Sequence, residues 1–149
     1  VFITDELRTK VFVLTDALDE VSQALTYLVQ ETISRVTDMD RLIATKAMER
    51  LVHIAIEAIA DIGNLLIDAL IMRDPASYAD IIDILHDETV ITTDVAEVLR
   101  PMVAFRRTLM QDYTSKHAAS LFLYAQNAHY IQQFVEQVKN YLSAYPESV

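Results

Sequence analysis

The chain has 149 residues, with 22 acidic against 12 basic side chains, one glycine and no cysteine. The length suits a single domain over residues 1–149 with a real core, while one glycine leaves almost none of the turns that hairpins need and no Gly-rich phosphate loop. A net charge of −10 argues against a broad nucleic-acid or anionic-membrane surface, and the lack of cysteine excludes disulfides, thiolate metal sites and a cysteine nucleophile and fits a cytoplasmic protein.

The first predicted helix runs from about Asp5 to about Arg35. Thr4 is its expected cap, with Asp5 and Glu6 in the first turn, where the helix dipole favours acids. Leu7, Val11, Leu14, Leu18, Val21 and Leu25 recur at steps of three and four and form one apolar stripe. The early charges, Arg8 and Lys10 included, speak against a signal peptide. After a polar break, Asp38 or Asp40 is expected to cap a second helix, from about Arg41 to about Met72. From Leu51 onward this helix is apolar nearly all round, so it must be covered on every side. A central helix or a subunit interface satisfies that need, and an interface contribution is the favoured reading.

Asp74-Pro75 ends the second helix. Ser77-x-x-Asp80 resembles a capping box and opens a short helix to about His86. Thr92 or Thr93 caps the next, from about Asp94 to about Tyr113, where Pro101 is expected to kink or split it. The last helix is expected from about Ser115 to about Tyr145, with Pro146 beyond its end. It holds the longest stretch free of Asp, Glu, Lys and Arg, His117 to Val135. Its amides (Gln126, Asn127, Gln132 and Gln133) and His129 mark it as an internal helix of a soluble protein rather than a membrane span. No stretch demands a strand, so the fold class is all-α.

Three constellations bear on chemistry. His53, Glu57 and Asp61 recur every four residues on one helical face. They could suggest a metal, but no Glu-x-x-His pair or His-Glu-x-x-His motif accompanies them, and a polar seam with i,i+4 pairs is the preferred reading. Asn64 and Asp68 lie in the apolar half of the second helix, where polar groups need hydrogen-bond partners, so they line a cleft or satisfy a neighbouring helix end. The remaining histidines, His86 and His129 among them, have no obvious partner at helical spacing and read as structural or exposed. The charge pattern is more telling: Arg100, Arg106, Arg107 and Lys116 against Asp112 make Arg100–His117 a basic segment in an acidic chain. On one continuous helix, Arg106 and Tyr113 would share a stripe, and Arg100, Arg107 and Gln111 another. Guanidinium, phenol and amide together suit phosphate binding, and an ordinary solvated basic face is the bland alternative.

The run Val103-Ala-Phe-Arg-Arg-Thr-Leu-Met-Gln-Asp-Tyr113 resembles the signature of the HepT-like proteins of the HEPN superfamily, roughly Phe-Arg-Asn-x-Leu-Val-His-x-Tyr. Asp61-Ile-Gly-Asn64, Pro75-x-Ser-Tyr78, Ile82-x-x-Leu85, Val90-Ile91, Leu99 and Met102-Val103 follow the family's order over about residues 50–115. The likeness is greatest to a Gram-positive subgroup with Gln at the motif His position.

The resemblance implies an up-and-down bundle of about four to five helices that dimerises through long helices, with two motif copies facing one cleft. It also implies a metal-independent RNA endonuclease of the toxin–antitoxin type, without cofactor, and a nucleotidyltransferase antitoxin that adds AMP to the motif tyrosine. Carried over residue by residue, Arg106 matches the arginine that stabilises negative charge on the scissile phosphate, and Tyr113 matches the modified tyrosine. Arg107 replaces the usual Asn, and Gln111 stands at the catalytic His position. Arg100, Arg106, Arg107 and Tyr113 are then the nucleotide-binding residues, with Asn64 and Asp68 supporting them. A Gln amide orients a phosphate or a water but cannot take a proton from a 2′-hydroxyl. His117, eleven residues after Arg106 and beyond an expected helix end, does not replace it. The sequence therefore points to RNA or nucleotide phosphate binding with weak or no cleavage. An active endonuclease toxin, or a non-enzymatic helical module docking an acidic partner, are the alternatives.

Overall fold

In a computed structural model, which describes residues 3–34, 37–114 and 117–145, all regular structure is helical. The two long helices, α1 (Asp5–Ser34) and α2 (Asp38–Ala69), pack along each other. Thr4 caps α1, its hydroxyl accepting from the Leu7 N–H at 3.1 Å. The cap of α2 is Thr37 rather than Asp38 or Asp40. Its hydroxyl accepts from the Asp40 N–H at 3.2 Å, while the two acids occupy the first turn. The expected helix limits at Arg35 and Ser115, Lys116 of the basic segment, and Pro146 lie outside the described residues.

α2 stops short of Met72. Ile71 adopts a left-handed φ of 54°, and the Met72 N–H reaches back to the Ile67 carbonyl at 3.0 Å, a Schellman-type ending. Thr89, at φ 61°, closes α3 (Tyr78–Asp87) in the same way, with the Val90 N–H on the Leu85 carbonyl at 2.9 Å. Two β-branched residues thus hold positions that usually take glycine, at about 1–2 kcal/mol each. The one glycine serves packing instead. A Cβ on Gly63 would lie 2.2 Å from Ile81 Cγ2, so its absence lets α3 close onto the middle of α2. Ser77 caps α3 by accepting from the Asp80 N–H at 3.1 Å. The Asp80 carboxylate accepts from the Ala76 N–H at 2.8 Å and from both Nη groups of Arg73 at 2.7 Å.

The helix expected through Tyr113 is split into α4 (Thr93–Ala104) and α5 (Arg106–Gln111). At the break, one turn after Pro101, the Phe105 N–H is shared between the Pro101 and Met102 carbonyls at 3.1 and 3.2 Å, a local 3₁₀ tightening. The last helix divides too, into α6 (Ala118–Gln126) and α7 (Ala128–Ser143), where the Asn127 N–H is shared between Leu123 and Tyr124 carbonyls at 3.2 and 3.1 Å. These two breaks turn the expected four to five helices into seven among the described residues.

α1 packs on α2, α6 and α7, α3 packs on α4, and α2 meets α3, α4, α5 and α6. The apolar half of α2 is therefore covered by its own chain: Ile56, Ile59, Ile62, Leu66 and Ile67 are buried, while Ile54, Leu65 and Leu70 are half-buried. That central position, one of the two arrangements expected for the stretch, covers much of its apolar surface within one chain. Each such side chain contributes about 1.5–3 kcal/mol on burial. Arg8 ties the two chain ends together, donating to the Leu142 and Tyr145 carbonyls at 2.9 and 2.8 Å. None of the described helices is long and apolar enough to cross a membrane.

Candidate functional site

Arg50, His53 and Glu57 recur along α2 at steps of three and four, and so share one side of that helix. Arg106 opens α5 directly after the Phe105 break, and Tyr78 opens α3. Phe105 is buried, its ring edge-on to His117 at 5.5 Å and tilted against Tyr124 at 5.0 Å, which fixes where α5 begins. The three elements converge on the Glu57 carboxylate.

Arg106 Nε donates to Glu57 Oε1 at 2.5 Å, and the Tyr78 hydroxyl donates to Oε2 at 3.0 Å. The Arg106 guanidinium carbon also lies 4.7 Å from the centre of the Tyr78 ring, a cation–π contact. On the α2 side, His53 Nε2 is 3.5 Å from Glu57 Oε1, and Arg50 Nη1 is 3.3 Å from His53 Nδ1. Burial pushes the Glu57 carboxyl up, but the hydrogen bonds from Arg106 and Tyr78 outweigh it and hold the group below the usual carboxylate range. Burial, then the bond to Glu57, pushes the Tyr78 phenol up. The bond to Glu57 likewise raises Arg106, a permanent cation in any case. The Glu57 and Arg106 side chains keep 34% and 38% of their surface, so solvent screens the pair and it is open to competition from an incoming anion.

Arg106 and Arg107 line one concavity of about 390 Å³, together with Ser77, Tyr78, Val103 and Ala104. Arg107 is exposed and has no ion-pair partner among the described residues. A larger groove, about 540 Å³, runs between α1 and α2, where Asp61 and Asp68 face the single cation Lys10. Its charge does not suit an anion, whereas that of the smaller, arginine-lined concavity does.

Among the residues singled out from sequence, Arg106 and Arg107 are thus brought together. Arg100 stands apart on α4, exposed, its Nε donating to Asp83 at 3.0 Å. Gln111 is the exposed last residue of α5. Tyr113 lies past the helix end and is 81% exposed, so the helical stripe expected to join it to Arg106 is absent. Asn64 and Asp68 line the α1–α2 groove and are exposed. His117 falls after α5, as expected, and is buried, its Nε2 3.3 Å from Glu49 Oε1. His86 meets the Thr93 hydroxyl at 3.0 Å, and the His129 ring lies against Tyr130. The seam of His53 and Glu57 does form its i,i+4 pair, and Glu57 in turn holds Arg106. Reading it as a polar seam alone missed that Glu57 joins Arg106 and Tyr78. An acid and an imidazole on a helix apolar nearly all round were the available signal.

Comparisons with known proteins identify the family and the fold. The family described as ribonuclease HepT-like matches residues 15–141. The Bacillus subtilis (strain 168) protein named "Putative RNase YutE" is 40% identical over 107 residues, covering 71% of this chain and 74% of its own. A solved structure of YutE, described as a cytosolic protein of unknown function from Bacillus subtilis, superposes with a TM-score of 0.76 at 32% identity over 97% of this chain and 94% of that one. The tri-AMPylated Shewanella oneidensis HEPN toxin in complex with its MNT antitoxin shares the fold, with a TM-score of 0.70 at 18% identity over 93% of this chain and 99% of that one. With the family match running from α1 into α7 and carrying the Arg106 cleft within it, the chain belongs to the HepT-like ribonuclease family.

Proposed function

We propose that this HepT-like chain binds RNA through a phosphate seated on Arg106 and Arg107, and that it belongs to the subgroup with Gln at the motif His position. The observation that carries the reading is the half-exposed Arg106, seated beside Arg107 in a concavity lined by both arginines. Glu57 engages the Nε side of its guanidinium, and the remaining N–H donors can fork onto a phosphate. Gln111 cannot accept a proton, so cleavage by the motif route is reduced by about 10²–10⁴ or lost.

The functional unit in this reading is a cytoplasmic homodimer in which two such clefts face each other. What supports pairing is the apolar surface left on the long helices: Phe12, Val13 and Tyr27 on α1, with Met39, Leu42 and Ile43 on α2. The AMPylated toxin bound to its antitoxin supports a nucleotidyltransferase partner, with the exposed Tyr113 hydroxyl as the AMP acceptor.

The test is a titration of the purified chain with fluorescent RNA and with ATP at low salt. Saturable RNA binding that Arg106→Ala weakens at least tenfold is expected, and no binding at low salt would refute the reading. One observation favours a second reading, an active ribonuclease: an imidazole lies beside the arginine site.

A further inference from the structure

An imidazole and Arg106 meet at one carboxylate, although they come from different helices. His53, on α2, touches the carboxylate that Arg106 touches: Glu57 Oε1 is 3.5 Å from His53 Nε2 and 2.5 Å from Arg106 Nε. Sharing one oxygen, the two nitrogens lie no more than about 6 Å apart, which puts His53 Nδ1, across the ring, within about 8 Å of Arg106 Nε, a gap that a phosphodiester and its neighbouring ribose hydroxyl can span. The His53 side chain keeps 23% of its surface, so solvent and substrate reach it. His117, in contrast, keeps 5% and is enclosed between Glu49 and Phe105.

We propose that His53 is the proton-transfer residue of this cleft, acting on the 2′-hydroxyl of an RNA whose adjacent phosphate sits on Arg106. The inference rests on the proposed binding of RNA phosphate at that arginine. The contacts around the ring set its protonation. A guanidinium only donates, so the 3.3 Å contact from Arg50 Nη1 leaves Nδ1 as the acceptor and places the ring proton on Nε2, toward Glu57. Glu57 is the positioning residue. Its ionised carboxylate orients the ring and stabilises the imidazolium once it forms, the part a carboxylate plays in a Ser–His–Asp triad. Arg50 is exposed and long enough to leave Nδ1 for the phosphate, and the 2′-hydroxyl takes its place.

In the step itself, the 2′-hydroxyl proton passes to His53 Nδ1 and the 2′-oxygen forms a bond to phosphorus. The bond from phosphorus to the 5′-oxygen breaks, and that oxygen takes a proton from water. The products are a 2′,3′-cyclic phosphate and a 5′-hydroxyl, and the imidazolium returns its proton to solvent. Arg106 stabilises the charge that builds on the phosphoryl oxygens.

The experiment pairs binding with cleavage, on the full chain, using a fluorescent single-stranded RNA and its all-deoxy counterpart. The expected result is that the wild type binds both and cleaves only the RNA, leaving a cyclic phosphate end. His53→Gln binds within about threefold of wild type and cleaves about 10²–10⁴ more slowly. Added imidazole restores part of the rate in His53→Ala, and His129→Gln, on an exposed part of α7, cleaves as wild type does. The wild-type rate also falls as acid protonates the base, a readout that needs no variant. Wild-type cleavage with no acid limb, or a folded His53→Gln at full rate, overturns the role of His53. Binding by the wild type without cleavage overturns it too, and leaves the phosphate site standing. Absence of RNA binding overturns both.

Discussion

Glu57→Gln separates what the carboxylate does for the arginine from what it does for a bound phosphate. The substitution keeps the shape of the side chain and its acceptor oxygen for Arg106, and removes one negative charge beside the place where a phosphate docks. A phosphate about 5 Å from that charge, at an effective dielectric of about 20, is repelled by about 3 kcal/mol. Glu57 and Arg106 are each about a third exposed, and solvent screening reduces this to about 1–1.5 kcal/mol. The dissociation constant for RNA should therefore fall about five- to tenfold at low salt and return toward wild type as salt is added. Stability should change by no more than about 1 kcal/mol, since the pair is exposed. Any cleavage should move the other way and slow, because the His53 ring loses the charge that orients it. Fluorescence anisotropy at two salt concentrations, with circular dichroism to confirm folding, measures the first effect. An unchanged or weaker affinity in folded Glu57→Gln would refute competition between the carboxylate and the phosphate.

Two further substitutions test the scaffold. Gly63→Ala gains about 1 kcal/mol of helix propensity but places a Cβ 2.2 Å from Ile81 Cγ2, and the overpacking costs about 1–3 kcal/mol, so urea unfolding should show a net loss. The Arg73 guanidinium and then the Ala76 N–H hold the Asp80 carboxyl at about 2, below its unfolded value; its stabilisation is present above about pH 4 and fades as pH falls toward 2. Asp80→Asn should flatten the fall in melting temperature over that interval.

Local signals account for what was legible in the sequence. Thr4 and Ser77 cap their helices through bonds that span three residues, and the apolar stripe of α1 repeats over every turn, so both were readable. Thr37 was passed over because its neighbours Asp38 and Asp40 are equally good caps by type, and only the backbone decides among them. The split expected from Pro101 falls one turn later, at Phe105, and the break at Asn127 carries neither glycine nor proline. They answer to packing: the Phe105 ring seats between His117 and Tyr124, and the Ser22 hydroxyl donates to the Ala128 carbonyl at 3.2 Å. In the site, Arg106 and Arg107 are adjacent and were found together, whereas Glu57 is 49 residues from Arg106 and becomes its partner only when α5 docks on α2. The placement of Tyr113 erred because Asp112 leaves helical geometry, at φ −103° and ψ 82°, and a stripe cannot continue past the helix that carries it.

The basic segment counted from the sequence shrinks once its partners are known, and that makes the salt dependence of binding informative. Arg100 is engaged by Asp83 outside the concavity, which leaves Arg106 and Arg107 as the two cations per chain that line it. For single-stranded nucleic acid the logarithm of the binding constant falls against the logarithm of salt with a slope of about −0.7 for each phosphate neutralised. One chain seating one phosphate on its arginine pair therefore predicts a slope of about −0.7, and two chains presenting both arginine pairs to one strand predict about −1.4. Measuring that slope alongside the molecular mass in solution links the oligomer to the site: a dimer with the shallow slope keeps its two clefts independent, and a dimer with the steep slope shares one. A slope near −5 or beyond would place the RNA on a wider basic face, which the net charge of −10 argues against, and a slope near zero would refute phosphate contact altogether.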